Sequence, residues 1–210
     1  MAIAQDLQFM PEALLPELIA AYATDYMHYE TMRIGSKSQM LFLEQLYPYM
    51  GNCKELVLEL QQLEQPILPQ GIAQLTQLTR LTLQYQYSDY ETALDASKIL
   101  ELPADIGEIA GLQKLFIEST DGWQNLPKNI EHATQINTLN ITLDLSKRID
   151  TRPLRGLTGM EYFIFKFTNV QWQNLQLFLA QLPTVPKFSI QYTHDDKAAH
   201  FEHLQRLLKE

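Results

Sequence analysis

One apolar frame returns along this chain, and that recurrence limits the fold more than any other feature. In three copies it reads L-P-x-x-I-x-x-φ-x-x-φ-x-x-L-x-φ, where φ is apolar. One copy runs from Leu68-Pro69 through Ile72, Leu75, Leu78 and Leu81 to Leu83. A second runs from Leu102-Pro103 through Ile106, Ile109, Leu112 and Leu115 to Ile117. A third runs from Leu126-Pro127 through Ile130, Ala133, Ile136 and Leu139 to Ile141.

Looser copies flank these three. Upstream, Leu43, Tyr47, Met50, Cys53, Leu56 and Leu58 fit. Downstream, Leu154, Leu157, Met160, Phe163 and Phe165 fit, with Asp150-Thr151 where Leu-Pro should stand. A last copy has Leu175, Leu179, Leu182, Val185, Phe188 and Ile190. The first strand position of each copy is then Leu56, Leu81, Leu115, Leu139, Phe163 and Phe188, at spacings of 25, 34, 24, 24 and 25. The long spacing marks an insertion of about ten residues, placed at 84–101.

A unit of this size cannot hide its own apolar face, so units stack and share one core. The alternating x-L-x-L segment reads as a short strand, and the stacked strands form a parallel sheet. The stretch between, such as Gly71 to Gln77, has apolar residues every three or four positions and suits a helix or 3₁₀ turn.

The frame resembles that of the leucine-rich repeat family, in the style of small bacterial members, whose period lies in the twenties. The resemblance implies an α/β solenoid. It would be a right-handed horseshoe with about six parallel strands on its concave face and a helical cap at each end. Residues 1–210 then form a single domain: a helical cap over 1–42, about six repeats over 43–193 and a capping helix over 194–210. Residues 11–33 carry an apolar helical stripe, including Tyr26, Met27 and Tyr29, and Gly35-Ser36 reads as its stop. Residues 37–48 read as a second helix. At the other end, Asp195 or Asp196 caps a helix bearing Phe201, Leu204 and Leu208.

Strand parity turns the residues before, between and after the frame positions to the opposite face, and the resemblance makes that concave face the partner site. The candidates there are Val57, Arg80, Thr82, Lys114, Phe116, Glu118, Asn140, Tyr162, Ile164 and Lys166. Thr142, Lys187 and Ser189 share the parity. Large apolar residues such as Phe116, Tyr162 and Ile164 facing solvent are candidate hot spots. In the insertion, Asp89, Tyr90 and Glu91 form a secondary candidate, while Tyr85 and Tyr87 share the parity of Leu81 and Leu83 and should face the core.

A formal charge of −9 argues against nucleic acid or anionic membrane as partner. No apolar run reaches the ~18 residues a membrane span needs, and no basic leader precedes one. With one cysteine there is no intrachain disulfide framework, which fits a reducing, cytoplasmic setting. Cys53 occupies a frame position and reads as a buried thiol rather than a nucleophile. His200 and His203 share a predicted helix face with no further ligand pair, so no metal or other cofactor is expected. Trp123 and Trp172 each lie three residues before a frame leucine and should fill equivalent core places. The family's asparagine-ladder position reads Gln61, Gln86, Thr120, Asp144, Thr168 and Thr193. That departure bears on the regularity of the turns.

The expected function is therefore a non-enzymatic protein–protein interaction module. The alternatives are an immunity or antitoxin protein neutralising a toxin, or a signalling scaffold.

Overall fold

The structure is a computed structural model that describes residues 17, 27–35, 40, 42–63, 65–85, 99–183 and 187–192. Each x-L-x-L segment is a strand, because period-two alternation lets extended backbone bury one face and solvate the other. β2 spans Glu55–Glu59, β3 Arg80–Tyr85, β4 Lys114–Ser119, β5 Thr138–Leu145, β6 Tyr162–Val170 and β7 Lys187–Tyr192. A further strand, β1 at Thr31–Ile34, precedes them. All seven lie in one parallel sheet in chain order.

The register follows the frame. Leu56, Leu81, Leu115, Leu139, Phe163 and Phe188 stand in one row. Leu58, Leu83, Ile117, Ile141, Phe165 and Ile190 stand in the next. From Leu56 to Phe165 both rows are fully buried in one continuous core. Phe165 stacks on Phe163 and Phe167 and meets Phe178 edge-on at 4.8 Å between ring centres.

The return segments are mostly 3₁₀ turns, at Ile72–Gln74, Ala104–Glu108, Ile130–His132 and Arg152–Gly156. Their frame residues recur every three positions, which matches three residues per turn and puts them on one side. The last return differs. Its spacing runs Leu175, Leu179, Leu182, and it forms an α-helix at Trp172–Ala180, with Leu175 and Phe178 buried. A four-residue helix at Leu43–Leu46 and a 3₁₀ turn at Tyr47–Tyr49 open the first repeat, where Leu43, Tyr47, Met50 and Cys53 are all buried.

The N-terminal reading needs correction. The predicted helix over 11–33 ends in a strand instead: Met32 and Ile34 point inward, while Thr31 and Arg33 point out. Four alternating residues gain backbone hydrogen bonds along the edge of β2, which outweighs a short continuation of helix. Met27 and Tyr29, placed on the apolar stripe, are exposed. Glu17 is helical and exposed; residues 11–16 and 18–26 fall outside the described residues, as does the predicted capping helix over 194–210. The far end of the sheet is also less covered than expected. Phe188 is 36% exposed and Ile190 half-buried, because among the described residues no strand stacks beyond β7.

The tryptophans are not equivalent. Trp123 is fully buried, bridges to Leu143 and meets Tyr85 edge-on at 5.6 Å. Trp172 is half-buried at the first turn of its helix. Tyr85 faces the core, as its parity requires. At the ladder positions, Asp144 accepts from the Ser146 backbone at 2.8 Å, and Thr168 donates to the Asp121 carbonyl at 2.5 Å. Gln61 donates instead to Glu59, at 2.9 Å.

Gly122 shows where the chain tolerates no side chain. Its φ is +77°, and an added Cβ would lie 2.6 Å from the Leu143 carbonyl carbon and 2.7 Å from the Asp144 nitrogen. Gly122→Ala should therefore cost more than the ~1–2 kcal/mol of left-handed backbone alone. Gly51→Ala, with nothing within 4 Å, is the matched control and should shift stability by less than ~0.5 kcal/mol. Urea melts of the two variants check this.

Candidate functional site

The sheet face turned away from the core carries three columns of side chains. The middle column reads Arg33, Val57, Thr82, Phe116, Asn140, Ile164 and Ser189, one residue per strand. Phe116 and Ile164 are half-buried and flank Asn140. At ~4.8 Å per strand they stand about 10 Å apart. The Asn140 Oδ1 between them is buried and accepts no hydrogen bond, as does Gln84 Oε1 one column over. The centre of the face thus sets partly uncovered apolar surface around two buried acceptors that have no partner.

The first column places Tyr162 two residues before Ile164, 37% exposed. Its hydroxyl accepts from Lys187, whose ammonium lies over the ring at 4.4 Å. That hydrogen bond raises the Lys187 pKa. Arg80 lies over the Phe116 ring, also at 4.4 Å. Such contacts hold each cation over an aromatic face and are worth ~0.5–1 kcal/mol at exposed sites. Lys114, beside Arg80 in register, is exposed.

The third column is a polar chain. Gln84 donates to Glu118 at 3.2 Å, and Lys166 reaches Glu118 at 3.1 Å. Glu118 and Lys166 belong to β4 and β6, so their pair spans β5 and covers Thr142. Two predicted solvent-facing residues are consequently corrected. Thr142 is buried under that pair, and Thr82 is buried between Val57 and Phe116, which are larger. Both keep the predicted side of the sheet. Lys166 lies two residues after Ile164 on the same face and pairs with Glu118. The secondary candidates Asp89, Tyr90 and Glu91 lie outside the described residues, as do His200 and His203.

Cys53 sits in the core beneath this sheet. Burial pushes its thiol up to about 11, and Sγ donates to the Glu55 carbonyl at 3.3 Å. The thiol is therefore neutral at pH 8 and shielded. A soluble thiol reagent at that pH should label Cys53 only as fast as the protein opens, and rapidly in urea; mass spectrometry under both conditions checks this.

The recurring frame, the in-register parallel sheet and the tight returns define a leucine-rich-repeat solenoid. No protein-family model matches the chain, and no curated protein does. Among solved structures, a leucine-rich-repeat protein of Leptospira interrogans is 14% identical with a TM-score of 0.44, over 83% of this chain and 47% of that one. The plant peptide hormone receptor RGFR1, solved in complex with RGF2, is 16% identical with a TM-score of 0.35, over 88% of this chain and 30% of that one. The chain thus spans about half the length of the first and under a third of the second. Among the described residues no helix is long and apolar enough to cross a membrane.

Proposed function

We propose that this chain is a non-enzymatic protein-binding module that takes its partner on the open sheet face, centred on Phe116, Tyr162 and Ile164. The observation that carries this reading is the Phe116–Asn140–Ile164 row. Two large apolar side chains stand partly uncovered on either side of an acceptor with no partner. Large side chains clustered at the centre of an open face are where binding hot spots concentrate. Seven strands spread the face over about 29 Å, enough for a small domain or an extended segment. Two ion pairs within the face, Arg33–Glu59 and Glu118–Lys166, neutralise part of its charge, so apolar contact rather than charge is expected to dominate recognition. Another protein is accordingly the expected partner, with no nucleic acid and no membrane.

A second reading has one feature in its favour. The chain carries −9 overall, which suits an immunity or antitoxin protein facing a basic toxin, with Asp89, Tyr90 and Glu91 as its contact.

Radical footprinting of the partner complex separates the two. On the first reading, Tyr162 becomes protected when the partner binds, while Tyr29, 48% exposed at the other end of the sheet, stays reactive. Protection of Tyr90 with Tyr162 unchanged would favour the second.

A further inference from the structure

Away from the open face, the return segments build a cleft of about 520 Å³ lined by Arg148, Asp150, Arg152, Arg155 and Gln181. Residues 147–155 hold Lys147 and three arginines against the single acid Asp150, in a chain of net charge −9. We propose that this cleft binds a phosphate monoester group, held by Arg148, Arg155 and the Gln181 amide.

The donors divide into one spent fork and two open ones. Arg152 is committed: its Nε donates to both Asp150 oxygens at 2.9 Å, and Nη2 donates to Oδ2 at 2.6 Å. This guanidinium holds the Asp150 carboxyl at about 2, so the pair stays ionised and mutually neutralised at any ordinary pH. Arg148 and Arg155 are both exposed and have no ion pair or side-chain hydrogen bond among the described residues. Gln181, at the end of the Trp172–Ala180 helix, is positioned from below. The fully buried Thr151 donates to its Oε1 at 3.1 Å, which leaves the Nε2 donors uncommitted. That helix contributes no charged side chain; its C-terminal carbonyls, at the Gln181 end, are the only part of it that opposes an anion, and the two arginine charges outweigh them.

The anion follows from the donor set. A carboxylate would fill one fork and carry one charge, and Asp150 already plays that part for Arg152. A phosphate monoester has three terminal oxygens and a charge of about −1.5 to −2, enough to engage both open guanidinium forks and the amide together. Arginine's planar fork suits this geometry better than lysine's point charge. The group can come from a phosphorylated protein side chain or from a small phosphorylated metabolite. This site is independent of the sheet-face reading.

The test is an NMR titration of the full chain that follows the Gln181 side-chain amide. The probes are inorganic phosphate, sulfate, a short phosphoserine peptide and its glutamate counterpart. Phosphate should shift the amide saturably. The phosphoserine peptide's affinity should rise from about pH 5 to about pH 7.5 as its second proton, of pKa about 6, leaves; sulfate affinity should stay level. Arg148→Gln with Arg155→Gln should weaken phosphate at least about tenfold while the thermal melt is unchanged, since both residues are exposed. Phe116→Ser with Ile164→Ser should leave phosphate binding as it was. A phosphoserine peptide that binds tighter than free phosphate assigns the site to a phosphorylated protein; one that binds no tighter assigns it to a small phosphorylated ligand. Absence of a saturable shift, undiminished binding by the arginine double variant, or a glutamate peptide equal to the phosphoserine peptide would overturn the proposal.

Discussion

Leu115→Ala or Leu139→Ala is expected to destabilise the fold by about 2–5 kcal/mol. Both side chains are fully buried and adjacent in register, with Leu81 beyond one and Phe163 beyond the other. The truncation removes apolar contacts and leaves a void, and the void cannot close. Backbone hydrogen bonds tie β4 and β5 on both sides, so neither strand can sag inward without breaking its ladder. The position adds a second effect. In a stacked repeat, stability is roughly a sum of units and nearest-neighbour interfaces. Weakening the β4–β5 interface should let the two halves unfold apart, with a broader urea transition. Leu177→Ala is the control: that leucine is 41% exposed and should change stability by less than ~0.5 kcal/mol. Urea melts followed by circular dichroism check all three. A loss under about 1 kcal/mol at Leu115 would contradict the packing described.

The frame rows were legible because burial acts through simple periods. Period two in the strands and period three in the returns follow from backbone geometry, and Leu81, Leu115 and Leu139 could be placed without coordinates. The last return was legible only as a helix or 3₁₀ turn: its α-helix buries Phe178, which the frame skips, while Leu179 and Leu182 are half-buried. β1 was not legible. Thr31–Ile34 is too short to show alternation clearly, and Met27 and Tyr29 beside it mimic a helical stripe. Its strand state comes from pairing with β2, a contact that local pattern does not contain.

For the candidate site, parity gives the side of the sheet and nothing about cover. Phe116 and Ile164 could be placed on the open face. That Arg80 lies on Phe116 depends on the alignment of β3 with β4. Thr142 is covered by Glu118 and Lys166, whose positions are 48 residues apart and meet only across β5. The arginine cleft has the same origin: Gln181 joins Arg148 and Arg155 through its bond to Thr151, a contact no motif records.

The second large effect concerns binding. Phe116→Ser with Ile164→Ser should leave the fold intact, because neither residue faces the core. Losing the Arg80–Phe116 contact should lower stability by no more than ~1 kcal/mol. Partner affinity should fall far more, by about 2–4 kcal/mol, the range for central hot spots. That corresponds to roughly 30- to 1,000-fold in Kd. Salt should have only a modest effect: Glu118 and Lys166 are paired and Arg80 and Lys187 lie over aromatic rings, which leaves Lys114 as the exposed charge near the centre. The direct measurement is a calorimetric titration of the native partner, captured from the host, into wild type and this double variant, with a thermal melt of each. The account predicts a cooperative melt close to wild type and a Kd raised by at least about thirtyfold. A folded double variant that binds as tightly as wild type would contradict it.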